Sequence, residues 1–366
     1  MNELFFELIR ISIGHQDKLC RQPSQKEWTA IYDMAIRQSL VGVCFAGAQK
    51  LCYFDTGNYA GMSELQYLTW MGMAAMIQQQ CSHHKEVCVR VNEHLARNDV
   101  RALFMKGLVC AERYPQPELR QCGDIDFVVA KVDYPRTLDL LDQIGVVNRE
   151  LVHEHHGMAW VDGVQLEPHY KIHNYQNPRN DRMMQKLQKE LFANYSDKPL
   201  SHTIEQFPIE FEGMFLVSHM VNHVYEEGVG MRQVMDFFFW IKDLPNHKGF
   251  DNELYYAYLD KMQMRRAARI FTRICEKYMG LEHSILGYGY TEREIVFADR
   301  MMDDIMAVGN FARGAAERPM AGWSAYKWTT KRCWKLGYLC PSEARWWPVS
   351  KFYRFFWKKC CKSNDR

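Results

Sequence analysis

Between residues 123 and 129 the chain reads Gly-Asp-Ile-Asp-Phe-Val-Val, two acids two positions apart at the head of an apolar run. The run predicts a buried strand. Side chains at i and i+2 of a strand project from one face, so Asp124 and Asp126 stand together while Ile125 and Phe127 turn into a core. Carboxylates paired in this way hold hard cations, which prefer oxygen ligands, and that geometry suits phosphoryl-transfer chemistry. The plainer expectation is a polar strand start with both acids solvated.

What flanks this strand sets the fold class. Apolar residues recur at helical spacing over 3–13, 25–40 and 62–97, without strand-like alternation. A strand over 100–105, a turn at Lys106-Gly107, a short helix over 108–114, the Asp124 strand and a helix over 135–144 follow. Helical patterns return over 183–192, 211–226, 231–241, 253–278 and 291–306. The expected class is α+β: a mixed β-sheet core with helices over residues 84–175, flanked by an N-terminal helical segment (1–83), a larger helical domain (176–320) and a C-terminal tail (321–366).

Two strand-like runs, 155–161 and 164–170, flank Asp162-Gly163, and Asp-Gly in that setting is a two-residue hairpin signal. Residues whose numbers sum to 325 then lie opposite each other, so Met158 faces Glu167 and His156 faces His169. Glu167, His169 and His156 share a face, and Glu167 becomes the natural third acid beside Asp124 and Asp126. Pro168 lacks a ladder donor and predicts an edge position or a bulge.

Lys106-Gly107, the short helix, Tyr114-Pro115, Arg120, the Asp124-Ile125-Asp126 strand and Glu167-Pro168-His169 together resemble the DNA polymerase beta-like nucleotidyltransferase superfamily. Within it the chain is most similar to a bacterial family known mainly as uncharacterised nucleotidyltransferases, which the later residues His219, His223, Gly230, Arg232 and Asp236 also resemble. The resemblance implies a mixed sheet carrying two acids on one strand and a third on the next. It implies Asp124, Asp126 and Glu167 as catalytic residues and metal ligands, for two Mg²⁺ ions or Mn²⁺ in their place, with Glu167 as ligand or as base for the attacking hydroxyl. The implied reaction moves NMP from an NTP, ATP among them, to an unidentified acceptor (small molecule, sugar, RNA or protein) and releases pyrophosphate. Gly107 takes the place of the glycine that lets backbone approach the phosphates, and Lys106-Gly107 stands where the superfamily usually has Gly-Ser. A catalytically degenerate module of this fold, binding nucleotide or scaffolding at a membrane, is the competing expectation. The Asp-x-Asp of glycosyltransferases fits less well, because it ends an apolar strand whereas Phe127, Val128 and Val129 follow the acids here.

Other residues carry weaker signals. Lys106 and Arg120 precede the metal strand and are placed to bind nucleotide, Arg as a bidentate fork and Lys as a point charge. His153, His155, His156, His169 and His173 gather around the hairpin. Imidazoles beside a metal-phosphate site more often orient the acids or bond substrate than ligate zinc, which gives His156 and His169 a supporting role. His219 and His223, four apart, project from one helix face. With Arg232 they either line the acceptor side of the cleft or glue helices to sheet, and Arg232 and Asp236 have the spacing of an ion pair.

From Ser324 onward eleven bases face two acids, interleaved with Trp346, Trp347, Phe352, Phe355, Phe356 and Trp357. That composition predicts peripheral contact with a membrane surface through residues 346–362, or a terminal helix docked on its own domain. At the other end, Glu3 and Glu7 stand where a signal peptide carries bases, and no apolar run reaches the roughly 18 residues of a membrane span. The expected location is cytoplasmic, with peripheral membrane contact. Twelve cysteines without a CxxC pair read as free thiols with no disulfide partner.

Overall fold

Asp162 and Gly163, at φ of 50° and 78°, adopt the left-handed backbone that a two-residue hairpin turn requires. The turn joins β4 (Met158–Val161) to β5 (Val164–His169), with Val161 opposite Val164 and Ala159 opposite Leu166. The same register continues to a bridge between His156 and His169. Pro168 is not at an edge: it lies inside the sheet, opposite Phe127 of the neighbouring strand. It leaves the register intact because only one bond is lost. Gly157 N–H still donates to the Pro168 carbonyl at 3.0 Å, and the missing reciprocal donor interrupts the ladder for one residue.

The computed structural model describes residues 2–52, 57–150, 155–195, 198–201, 203–310 and 322–362, without the side chains of 354–362. His153 and the side chains of Phe355, Phe356 and Trp357 lie outside the described residues. Four helices lead the chain, α1 (Asn2–Ser12), α2 (Gln25–Gln38), α3 (Val41–Leu51) and α4 (Glu64–Arg97). The mixed part then runs β1 (Ala102–Met105), α5 (Gly107–Ala111), β2 (Ile125–Val129), α6 (Tyr134–Asp142), β3 (Val146–Asn148), β4, β5, α7 (Pro178–Ala193) and β6 (Glu205–Gln206). Helices α8 (Ile209–Glu226), α9 (Met231–Asp243), α10 (Asn252–Lys261), α11 (Arg265–Met279), α12 (Glu292–Val308), α13 (Gly322–Leu336) and α14 (Pro341–Lys362) complete it.

Among the described residues six strands form one mixed sheet in the order β3-β4-β5-β2-β1-β6. Central β2 pairs antiparallel with β1 and parallel with β5. Alternation along the strands divides two cores. Ile125, Phe127, Phe104 and Leu166 pack with Val87, Val91 and Leu95 of α4 and Leu140 of α6. The opposite face presents Leu103, Met105 and Val128 to a larger core that α1–α3 share with α8, α9 and α11. The N-terminal and C-terminal helices are thus parts of one packed body, and α4 runs unbroken past residue 83, where the sequence suggested a division. The expected helix over 253–278 is two, α10 and α11. Gln263 at φ 59° turns the chain between them so that Met262 and Met264 on either side are both buried. Gly42 at the start of α3 allows a close approach, since a Cβ there would fall 2.3 Å from the Leu119 carbonyl oxygen; α3 thereby braces the loop that leads to Asp124.

Residues 322–350 fold back on the body. Leu336, Leu339, Cys340 and Trp347 are buried, and Glu343 in the first turn of α14 accepts hydrogen bonds from Gln176 N–H, Asn177 N–H and Asn180 Nδ2 at 3.1, 3.2 and 2.8 Å. No described helix is long and apolar enough to cross a membrane. Burial pushes the Glu343 carboxyl up to about 7, against the pull of its three donors. A folded-state value above the unfolded one means that ionisation opposes folding, with no penalty below the unfolded value and the full penalty above about pH 7. Glu343→Gln, which Asn180 can accommodate by turning its unpartnered Oδ1 inward, should match wild type in urea unfolding at pH 4.5. At pH 8 it should be more stable by up to about 3 kcal/mol; a difference that does not change between the two pH values contradicts this.

Candidate active site

Parallel pairing of β2 with β5 sets Asp126 beside Glu167. Paired residues of adjacent strands share a face, so the register brings two carboxylates together on the side turned to the helical body. Asp124 lies one residue ahead of β2, in phase with Asp126. Around them, Lys106 Nζ lies 2.9 Å from Asp126 Oδ1, and His169 Nε2 lies 3.0 Å from the same oxygen and 3.8 Å from Glu167 Oε2. His156 Nδ1 is 3.7 Å from Glu167 Oε2.

The charges decide how this cluster behaves. Burial raises the pKa of Asp126, but the Lys106 ammonium and the His169 N–H outweigh it and hold the carboxyl well below the usual range. Glu167 has only weaker partners, the Gln165 amide at 3.2 Å and the two imidazoles at 3.7 and 3.8 Å. Burial first, then the negative charges of Asp126 and Asp124, push it up to about 8. For Lys106, burial lowers the pKa, but the same three acids more than compensate and raise it. The site therefore holds more negative charge than one ammonium neutralises.

Lys106 reaches this position at a backbone cost. Its φ of 57° and ψ of −150° fall in a region that is essentially glycine's, worth about 1–3 kcal/mol of strain for another residue. Gly107 follows at φ 39°. The two reverse the chain between β1 and α5 directly over the acids, with the lysine side chain aimed inward.

A cavity of about 300 Å³ opens on the cluster. Lys106, Gly107, Asp124, Asp126 and Glu167 form one wall, and His219, His223 and Arg232 from α8 and α9 face them across it. Between the walls the rings of His169, His155, His173 and His219 follow one another at 5.3 to 5.8 Å. Burial lowers the pKa of His155, His173 and His219, so these imidazoles are neutral. His219 and His223 approach at 3.1 Å through their Nε2 atoms, which requires one to donate and the other to accept.

Arg120 lines the cavity, but its fork is taken up by Asp236. It is buried, with Nε and Nη2 both 2.7 Å from the Asp236 carboxylate, and Tyr114 Oη–H donates to the same group at 2.7 Å. The spacing argument paired Asp236 with Arg232; instead Asp236 is taken by Arg120, and Arg232 donates to the Gln121 carbonyl at 2.9 Å. Long-range packing decides this, because the 113–121 segment runs along α9, from Arg113 at Asp243 to Gln121 at Arg232. Arg113, which the sequence did not mark, likewise forms a bidentate pair with Glu212 at 2.7 Å. Both pairs clamp α8 and α9 to the loop before β2, and so fix the width of the cleft.

The donor set fits a divalent cation. Three carboxylates line one cavity, Glu167 among them pushed upward by burial and then by the other two, and Asp126, Glu167 and His169 bring ligand atoms within 4.8 Å of one another. His155, His156 and His169 do the same. A family model described as uncharacterised nucleotidyltransferase matches residues 24–280. The chain belongs to that family. No curated protein and no solved structure matches it. The matched span of this nucleotidyltransferase takes in α2–α11 with the whole sheet, while α12–α14 lie beyond it.

If Arg120 is a structural clamp, Arg120→Ala leaves Asp236 buried and unpaired and should cost roughly 3–5 kcal/mol in urea unfolding. Arg120→Met with Asp236→Leu should recover a large part of that loss. A stable Arg120→Ala protein whose only defect is weaker NTP binding contradicts the clamp.

Proposed function

We propose that this nucleotidyltransferase is divalent-cation-dependent, transferring NMP from an NTP to an acceptor nucleophile with release of pyrophosphate. The single observation that carries the reading is the register pairing of Asp126 with Glu167 beside Asp124 on one face of the sheet, opening on a cavity with Lys106 above it. Asp124, Asp126 and Glu167 would hold Mg²⁺ or Mn²⁺, which supplies charge neutralisation on the triphosphate and lines up the reacting oxygens.

The chain's own residues do the rest. The Lys106 ammonium is a point charge for phosphate oxygens once it leaves Asp126, and the Gly107 turn admits the phosphate chain close to the backbone. His169 donates Nε2–H to Asp126 Oδ1 and fixes which oxygen faces the cavity. The imidazoles of His155, His173 and His219 offer the acceptor hydrogen-bond partners, with Arg232 as the cation on that side, and the cavity's 300 Å³ matches a small acceptor or the end of a larger one.

One observation favours the degenerate reading. The Lys106 ammonium already neutralises Asp126, as it would in a protein that binds nucleotide without turnover. Purified protein with labelled NTPs, Mg²⁺ or Mn²⁺ and a broad acceptor panel separates the two. The expected result is label transfer that falls to background in Asp124→Ala and Asp126→Ala. NTP binding with no transfer, unchanged by Glu167→Ala, would establish the degenerate reading. His169→Gln should keep the fold and weaken metal binding by about ten- to a hundredfold, read by calorimetry.

A further inference from the structure

Trp334 on α13 is 89% exposed, the most exposed large apolar side chain among the described residues. It is not isolated. Trp323, Tyr326 and Thr330 precede it at helical spacing and form one stripe with it along α13. On α14, Arg345, Pro348 and Phe352 form a matching stripe; a groove of about 320 Å³ between the helices is lined by Thr330, Trp334, Arg345 and Pro348, and Tyr326 meets Phe352 at 6.0 Å. Beside that stripe Trp346, Val349 and Tyr353 are exposed at 41%, 54% and 62%.

The charge of this surface is predominantly positive. Between residues 322 and 353 the sequence holds a single acid, Glu343, and the fold buries it against Asn180. Lys327, Lys331, Lys335 and Arg345 are exposed around the aromatic stripes. On the other side of Trp334 a groove of about 800 Å³ adds Arg266, Arg293 and Arg300 against Glu292. Arg266 and Arg293 lie over the Tyr338 ring at 4.4 and 4.1 Å, while Lys335 is partly drawn inward by Asp304 at 3.2 Å.

We propose that the α13–α14 hairpin, with the adjoining face of α12, docks peripherally on an anionic lipid bilayer. Tryptophan and tyrosine settle at the headgroup level, lysine and arginine meet the lipid charge, and Val296 and Val349 reach the acyl boundary. Those aliphatic positions favour a bilayer over nucleic acid, because they offer a base nothing to stack on. Apart from Arg266, the surface lies outside the span matched by the nucleotidyltransferase family. It also widens the contact read from the sequence, which began at residue 346.

Flotation of the full chain with phosphatidylcholine vesicles, with and without phosphatidylglycerol, tests this. Binding should require the anionic lipid and weaken with added salt. Lys327→Gln with Lys331→Gln should reduce it roughly thirtyfold, about fivefold per charge, and Trp334→Ser should reduce it further, whereas Lys26→Gln with Lys189→Gln on other faces should not. Unchanged circular dichroism and melting would show that the variants fold. Absence of binding to anionic vesicles, binding indifferent to these hairpin substitutions, or a concentration-dependent dimer that Trp334→Ser dissolves would each overturn the proposal.

Discussion

Carboxylates crowded into a buried cleft repel one another, and the rest of this structure is arranged around that repulsion. The parallel pairing of β2 and β5 makes it unavoidable, since the register that packs Phe127 and Leu166 into one core forces Asp126 and Glu167 together on the other face. One ammonium and one imidazole settle on Asp126. Glu167 meets only the Gln165 amide and two more distant imidazoles, and its carboxyl is pushed up by burial and by its acidic neighbours. A protein that needed only stability would replace such a cluster with apolar residues. Instead the chain holds Lys106 in a glycine-like backbone conformation to keep a positive charge there.

Around that cluster the two bidentate ion pairs act as spacers. Arg120 with Asp236 and Arg113 with Glu212 join the loop before β2 to α9 and α8, and the histidine wall rides on α8. The first pair is buried and the second partly so, where separation of the partners is expensive, and together they hold the helices that carry the imidazoles against the loop that leads to the acids. The helical body and the sheet form a single packed unit for the same reason, with the N-terminal helices completing the core behind α9 and α11.

Local chemistry was legible in the sequence where it is short-range. The Asp162-Gly163 turn gave the hairpin register as far as His156 and His169, and two-residue alternation gave the shared face of the acids. Long-range chemistry was not. Asp236 is 116 residues from Arg120, and no spacing rule connects them, so the partner four residues away on the same helix was the natural but unrealised choice. The edge strands β3 and β6 were missed because they are three and two residues long, too short to show a period. The break between α10 and α11 depends on one left-handed glutamine, a residue type without preference for that conformation. The strain at Lys106 was invisible for a similar reason, since a lysine before a glycine reads as an ordinary turn.

The central claim is that this cluster is built to be completed by a divalent cation. A crystal of the protein soaked with Mn²⁺ and a non-hydrolysable NTP tests it most directly. The account predicts anomalous density bounded by the carboxylates of Asp124, Asp126 and Glu167, with Lys106 Nζ moved from Asp126 to a phosphate oxygen. A nucleotide bound without metal density, or density elsewhere with the Lys106–Asp126 pair intact, would contradict it.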